Sequence, residues 1–249
     1  MVIDANSESL LELLTRSELS VTGRLVDASN ATLLCELIGS DHSDLSDQSA
    51  SGEQVLQAIY KPIAGERPLW DFPDGRLAWR ERAAYLLSSL AGFNIVPPTV
   101  LRDGPFGEGA VQLWIDCDES VDIVEYGQTE NSFLRALALF DAIINNTDRK
   151  FGHLLLTSEG QLFGCDHGVS FHQDPKLRTV LWQFSGEKFT DREVALLHRA
   201  TESITHEEFS HLLTGAEIAA TSERIATLLE EGEFPFPSGD WPAVPWPPY

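Results

Sequence analysis

The apolar residues of this chain follow two kinds of pattern that hardly mix, and this segregation is the strongest constraint on its fold. Up to about residue 115 they come as short runs: Val21 to Val26, Thr32 to Ile38, Gln54 to Tyr60, Thr99 to Arg102 and Ala110 to Ile115. Turn chemistry bounds them, at Asp27-Ala28-Ser29-Asn30, at Lys61-Pro62, at Pro97-Pro98 and between Gly104 and Gly109. The spacing predicts five strands, the first two as a hairpin. Two helical stretches interrupt them. One spans residues 6 to 19, with leucines at 10, 13, 14 and 19. The other is Arg76 to Leu90, with Ala83, Ala84, Leu86, Leu87 and Leu90 and a stop at Gly92. Beyond residue 118 helices dominate. Phe133 to Ile144 is apolar on most sides. Thr190 with Glu193 and Thr205 with Glu208 have capping-box spacing, and a third helix is expected from Gly215 to Glu231. A small hairpin is expected from His153 to Leu156 and Gln161 to Cys165. Strands first and helices after predict an α+β chain.

Composition removes several classes of function. With 39 acids against 17 bases the net charge is -22, so nucleic acid and anionic lipid surfaces would repel this chain. Hydrophobic residues at 43% exclude disorder throughout. No apolar run reaches the roughly 18 residues of a membrane span, and Met1 to Ser20 lacks the basic start of a signal peptide. Cys35, Cys117 and Cys165 are far apart and without CxxC spacing, which fits a reducing, cytoplasmic setting and offers no zinc motif. Residues 39 to 53 read as a solvated acidic loop. The last 15 residues hold six of the 13 prolines plus Trp241, Trp246 and Tyr249, an extended segment whose aromatics are expected to pack onto the body.

Chemistry concentrates in three places. Lys61 closes the apolar strand Ala58-Ile59-Tyr60. The polar loop Asn145-Asn146-Thr147-Asp148-Arg149-Lys150-Phe151-Gly152-His153 follows the buried helix. Gly164-Cys165-Asp166-His167-Gly168 comes third. Phosphoryl transfer from ATP needs a lysine for the α/β phosphates, a carboxylate to orient the attacking hydroxyl, and ligands for magnesium.

In this order the residues resemble the phosphatidylinositol 3-/4-kinase-like branch of the protein-kinase-like fold, and more distantly the HipA-type serine kinases. The matching motifs are Lys61, Asp148-Arg149-Lys150 with His153, and Asp166-His167-Gly168. The resemblance implies a two-lobed protein-kinase-like fold, with a strand-rich N-lobe over 1–118 and a helical C-lobe over 119–249. It implies ATP and Mg2+, with Mn2+ as an alternative metal. Lys61 would bind the α/β phosphates and pair with Glu81, for which Glu66 and Glu53 are competitors. Asp148 would serve the acceptor hydroxyl and Asp166 would hold the metal. Leu113 to Cys117 would form the hinge, with Trp114, Ile115 and Cys117 facing adenine. Ser29 and the turn from Ala28 to Asn30 would cover the phosphates.

Departures from that pattern shape the expected function. His153 stands where the branch has a second metal ligand, Asn. Magnesium prefers oxygen, so His153 touches phosphate, or one metal is lost, or manganese is preferred. No basic, lipid-facing segment follows Asp166. The expectation is an ATP-dependent phosphotransferase acting on a hydroxyl of a protein or small molecule rather than a lipid, with transfer of AMP as a variant. A nucleotide-binding, pseudokinase-like regulatory module is the alternative. A metal-dependent phosphohydrolase ranks last, for want of paired HxH or HD spacing. Each residue also has a plain structural reading. Lys61 could be a solvated strand end, Asp148 a turn cap, His153 a core histidine, and Arg149 and Lys150 partners of surface acids.

Overall fold

A computed structural model describes residues 2–25, 30–38, 55–67, 69–72 and 75–249. Ala28 and Ser29 of the expected phosphate-covering turn, and the acidic stretch 39–53, lie outside the described residues.

Helix α1 (Glu8–Arg16) starts at Ser7, whose hydroxyl accepts from the Leu10 N–H at 3.4 Å. Its last carbonyls are met by Arg102, which donates to Leu14 and Ser17 at 3.1 and 2.7 Å. A cation there suits the negative end of the helix. Leu19, the last of the helically spaced leucines, already belongs to a strand.

Five antiparallel strands follow: β1 (Glu18–Arg24), β2 (Leu33–Ile38), β3 (Gln57–Pro62), β4 (Thr99–Gly104) and β5 (Gly107–Leu113). Their spatial order is β1-β2-β3-β5-β4, so β3 is paired on both edges. Lys61 lies opposite Ala110. A Cβ on Gly109 would stand 2.5 Å from the Lys61 carbonyl, so glycine is what admits β5 this close to β3. Helix α2 (Leu77–Leu90) lies against β4 and β5. Its N-cap, Arg76, sits at φ 61° and supplies no side-chain cap; Glu66 does so instead, accepting from the Ala78 N–H at 2.9 Å.

The rest is mostly helical: α3 (Ile123–Gly127), α4 (Ser132–Ile144), α5 (Asp191–Ser203), α6 (Phe209–Leu212) and α7 (Gly215–Glu231). A two-stranded hairpin, β6 (Leu154–Leu156) with β7 (Leu162–Gly164), follows α4. The hairpin and the helices α4, α5 and α7 match the sequence reading. Helix α3 was not expected; five residues give too little periodicity, and its signal is the cap Asp122, which accepts from Val124 and Glu125. The Thr190–Glu193 box forms as expected. The Thr205–Glu208 box does not: the Thr205 hydroxyl donates back to the Glu202 carbonyl at 2.7 Å, closing α5 rather than opening a helix. The second reciprocal box is Thr214 with Glu217, at the start of α7.

Two apolar cores result. One lies under the sheet, around Leu14, Cys35, Ala58, Tyr60, Val111 and Phe163. The larger gathers α2, α4, α5 and α7 around Leu87, Leu137, Phe140, Leu197 and Ile225. Among the described residues no helix is long and apolar enough to cross a membrane. The proline-rich segment is held mainly by its carbonyls, since proline has no N–H to give. The Ala243 oxygen accepts from Thr179 N and Trp182 Nε1, and the Pro248 oxygen from Phe151 N. Of its aromatics only Trp241 packs as expected, 6.2 Å from Trp70. Trp246 is 87% exposed and Tyr249 68%.

Candidate active site

Alternation along β3 buries Ala58 and Tyr60 in the sheet's core and sends the Lys61 stem toward α2. There the Lys61 ammonium meets Glu81 Oε1 and, at 2.8 Å, Asp166 Oδ1. Glu81 is almost fully buried, and its second oxygen accepts from the His167 backbone N–H at 3.1 Å. One carboxylate thus ties β3, α2 and the loop after β7 together. Glu66, the competitor, is occupied at the start of α2, and Glu53 lies outside the described residues. Burial alone would lower the Lys61 pKa, but Asp166 and Glu81 outweigh it and hold the ammonium above its ordinary range. Lys61 in turn holds the Asp166 carboxyl far below the usual carboxylate range.

Asp166 is half exposed, with 49% of its side chain open. Its backbone sits at φ 60°, a left-handed conformation unusual for a residue with a Cβ. Its Oδ2 lies 3.5 Å from His153 Nε2. The other ring nitrogen, Nδ1, faces the Lys150 N–H at 3.4 Å. Burial lowers the His153 pKa to about 4, so the ring is neutral. With Nδ1 accepting, the proton sits on Nε2 and points at Asp166. In this tautomer Nε2 carries a proton rather than a lone pair on the side facing the Asp166 carboxylate.

Helix α4 ends at Asn145, held at φ 52°, and the polar loop begins. Asp148 keeps 32% of its side chain open and pairs with Lys150 at 3.3 Å. Its backbone N–H donates to Asn146 Oδ1 at 3.0 Å. Burial raises the Asp148 pKa above the ordinary carboxylate range, against the pull of Lys150. Arg149 binds neither phosphate nor a surface acid. It is fully buried and paired with Asp141 of α4, Nη2 to Oδ1 at 2.9 Å and Nε to Oδ2 at 2.9 Å. It also donates to the Cys165 carbonyl at 2.7 Å and meets His167 Nε2 at 2.7 Å. Asn146 donates to Asp141 as well. Asp141 and Arg149 therefore bolt the Asp148 loop to the Asp166 loop. Asp141 was missed in the sequence, although a carboxylate inside Leu139-Phe140-Asp141-Ala142-Ile143 was a visible signal.

Trp114, Ile115 and Cys117 lie where β5 leaves the sheet for the helical part. Trp114 N–H still donates to Gln57 O at 3.0 Å, Ile115 is buried, and Cys117 is exposed. The Asp116 and Cys117 N–H groups bond to nothing among the described residues, leaving free backbone donors at this crossing.

The donor set can be tested against magnesium. Among the described residues no three side chains form a ready metal cluster. Magnesium needs no such cage: it binds through one or two carboxylates together with phosphate oxygens and water. The open Asp166 carboxylate fits that role. His153 fits a neighbouring one, orienting the carboxylate.

Comparison with known proteins agrees with this geometry at the level of fold. No protein-family model matches the chain. Protein Rv2133c of Mycobacterium tuberculosis is 38% identical over 273 aligned residues, covering 94% of each chain. Among solved structures, the golgi casein kinase aligns with a TM-score of 0.52 at 13% identity, over 90% of this chain and 74% of that one. The Helicobacter pylori proinflammatory kinase CtkA aligns with a TM-score of 0.45 at 10% identity, over 88% and 94%. The chain has a two-lobed, kinase-like fold, as the resemblance of its motifs implied.

Proposed function

The chain belongs to the family of Mycobacterium tuberculosis protein Rv2133c, and we propose that it is an ATP-dependent phosphotransferase acting on a hydroxyl group. The observation that carries this reading is the Lys61 ammonium clasped between Glu81 and Asp166, three residues drawn from a strand, a helix and a loop into one cluster. The left-handed backbone of Asp166 supports it, since strain of this kind collects at functional sites. Lobes over 1–118 and 119–249, meeting at the 114–117 crossing, complete the proposal. The order of Asp148, His153 and Asp166 along the chain favours the phosphatidylinositol 3-/4-kinase-like branch.

In this reading Lys61 meets the α/β phosphates and the free N–H groups near Cys117 meet adenine. Asp166 would hold magnesium, which supplies positive charge against the phosphates. Asp148, with its raised pKa, orients the acceptor hydroxyl and takes its proton as the oxygen bonds to the γ-phosphorus. The bond from that phosphorus to the β–γ bridging oxygen breaks and ADP leaves. A module that binds nucleotide without transfer is the second reading, favoured by the His153 proton that points at Asp166 where a metal ligand is the norm.

Nucleotide-dependent thermal stabilisation tests both. At 100 times its dissociation constant ATP should add about 2.7 kcal/mol. Asp166→Asn should abolish the magnesium-dependent part of that gain. Asp148→Ala should keep the gain and slow transfer about 10²- to 10⁴-fold. No shift with any nucleotide sinks both readings. Binding without transfer in the wild type leaves the second.

A further inference from the structure

The acceptor side of the site carries a charge that no carboxylate meets among the described residues. Segment 176–182 runs beside the Asp148 loop: Arg178 N donates to Asn146 O at 2.9 Å, Arg149 N to Arg178 O at 3.1 Å and Val180 N to Arg149 O at 3.2 Å. Arg178 is thereby bracketed across from Asp148. Around the site the cations are paired: Lys61, Lys150, Arg149 and Lys176 each touch a carboxylate. Arg178 touches none among the described residues, and its Nε is buried without a hydrogen-bond partner. That nitrogen is shut off from solvent, whereas the two Nη groups have no hydrogen-bond partner among the described residues and keep open surface, so they are the ones a ligand can meet. The field of Arg178 reaches Asp148, as does that of Lys150.

A second observation bears on the size of the acceptor. The outward edge of segment 176–182 is already taken. Thr179 N donates to Ala243 O at 3.0 Å, and where the Asp148 loop ends Phe151 N donates to Pro248 O at 2.9 Å. A polypeptide reading that edge would have to displace segment 241–248; a small molecule reaching Asp148 from the open side would not.

We propose that the acceptor is a small anionic alcohol, bearing a phosphate or carboxylate that Arg178 holds while its hydroxyl faces Asp148. The inference rests on the phosphotransferase reading for the role of Asp148, but the anion subsite stands on Arg178 alone. A guanidinium matches either group through two parallel N–H bonds. A local cation is also what lets an anion approach a molecule this acidic.

The test is a titration of the whole chain with glycerol 3-phosphate, inorganic phosphate and glycerol, with and without magnesium and a non-hydrolysable ATP analogue. Glycerol 3-phosphate should bind at least tenfold more tightly than glycerol. Arg178→Met should weaken it at least tenfold and Arg178→Lys less, with the thermal shift given by the ATP analogue unchanged in both. Equal or undetectable binding of glycerol 3-phosphate and glycerol overturns the proposal, as does unaltered anion affinity in Arg178→Met. Transfer of labelled phosphate from ATP to a mixed Ser/Thr/Tyr peptide library overturns the small-acceptor part. If the ATP analogue fails to bind while phosphate still binds through Arg178, the nucleotide reading fails and the subsite survives.

Discussion

Arg149 shows how far one residue's role depends on its surroundings. In the sequence it adjoins Asp148 and looks like a phosphate or surface-acid partner; in the fold it is a buried strut between Asp141, the Cys165 carbonyl and His167. Removing one member of a buried ion pair leaves the other charge stranded, at a cost of about 3–5 kcal/mol. Arg149→Met should lose about that much stability in urea unfolding, more than Lys150→Met, whose ammonium is partly open. The cysteines divide in the same way. Burial pushes the Cys35 thiol up to about 11 and Cys165 to about 12. Thiolate is the reactive form, so at pH 8 both should be inert, with Cys35 labelling only as the pH nears 11 or the chain unfolds. Cys117 is exposed at the proposed hinge. An alkylating reagent at pH 8, followed by mass spectrometry, should modify Cys117 first, and bound nucleotide should slow that modification.

Among the elements, helix starts separate what spacing predicts from what geometry decides. Thr190–Glu193, Thr205–Glu208 and Thr214–Glu217 share one spacing, yet only the first and last form reciprocal boxes. At Thr205 the preceding helix turn competes for the hydroxyl and wins. Thr190→Ala and Thr214→Ala should each cost about 1 kcal/mol. Thr205→Ala should cost only a few tenths, the usual effect of a surface change. Chemical denaturation of the three variants checks the ranking. The strand and helix types were legible because period and turn chemistry are properties of adjacent residues. The five-residue α3 escaped because it is too short to show a period.

Across the whole molecule, α2 joins the sheet to the helices. Lys61 reaches it from β3 through Glu81, while Arg80 pairs with Glu217 of α7 and Arg82 with Glu208, at 2.7 Å, beside α6. Glu217 also closes the α7 capping box, so one carboxylate serves both ties. The two halves should unfold together in a single calorimetric transition. Arg80→Met should lower its midpoint and broaden or split it, because a nearly buried carboxylate loses its partner and α2 loses a tie to the helical part. A single transition of unchanged width and midpoint would show that the apolar contacts of α2 suffice.

By itself the sequence determined the α+β class, the order of the strands and helices, and the three places where phosphate chemistry could sit. Each of these is written in neighbours a few residues apart. Only the tertiary structure decided that Glu81 rather than Glu66 meets Lys61, that Arg149 turns inward to Asp141, that His153 Nε2 faces Asp166, and that Arg178 stands across from Asp148 with no carboxylate partner among the described residues. Lys61 and Asp166 are 105 positions apart, and His167 and Glu81 are 86 apart. A charge finds its partner through the packing of whole elements, which the spacing along the chain does not encode.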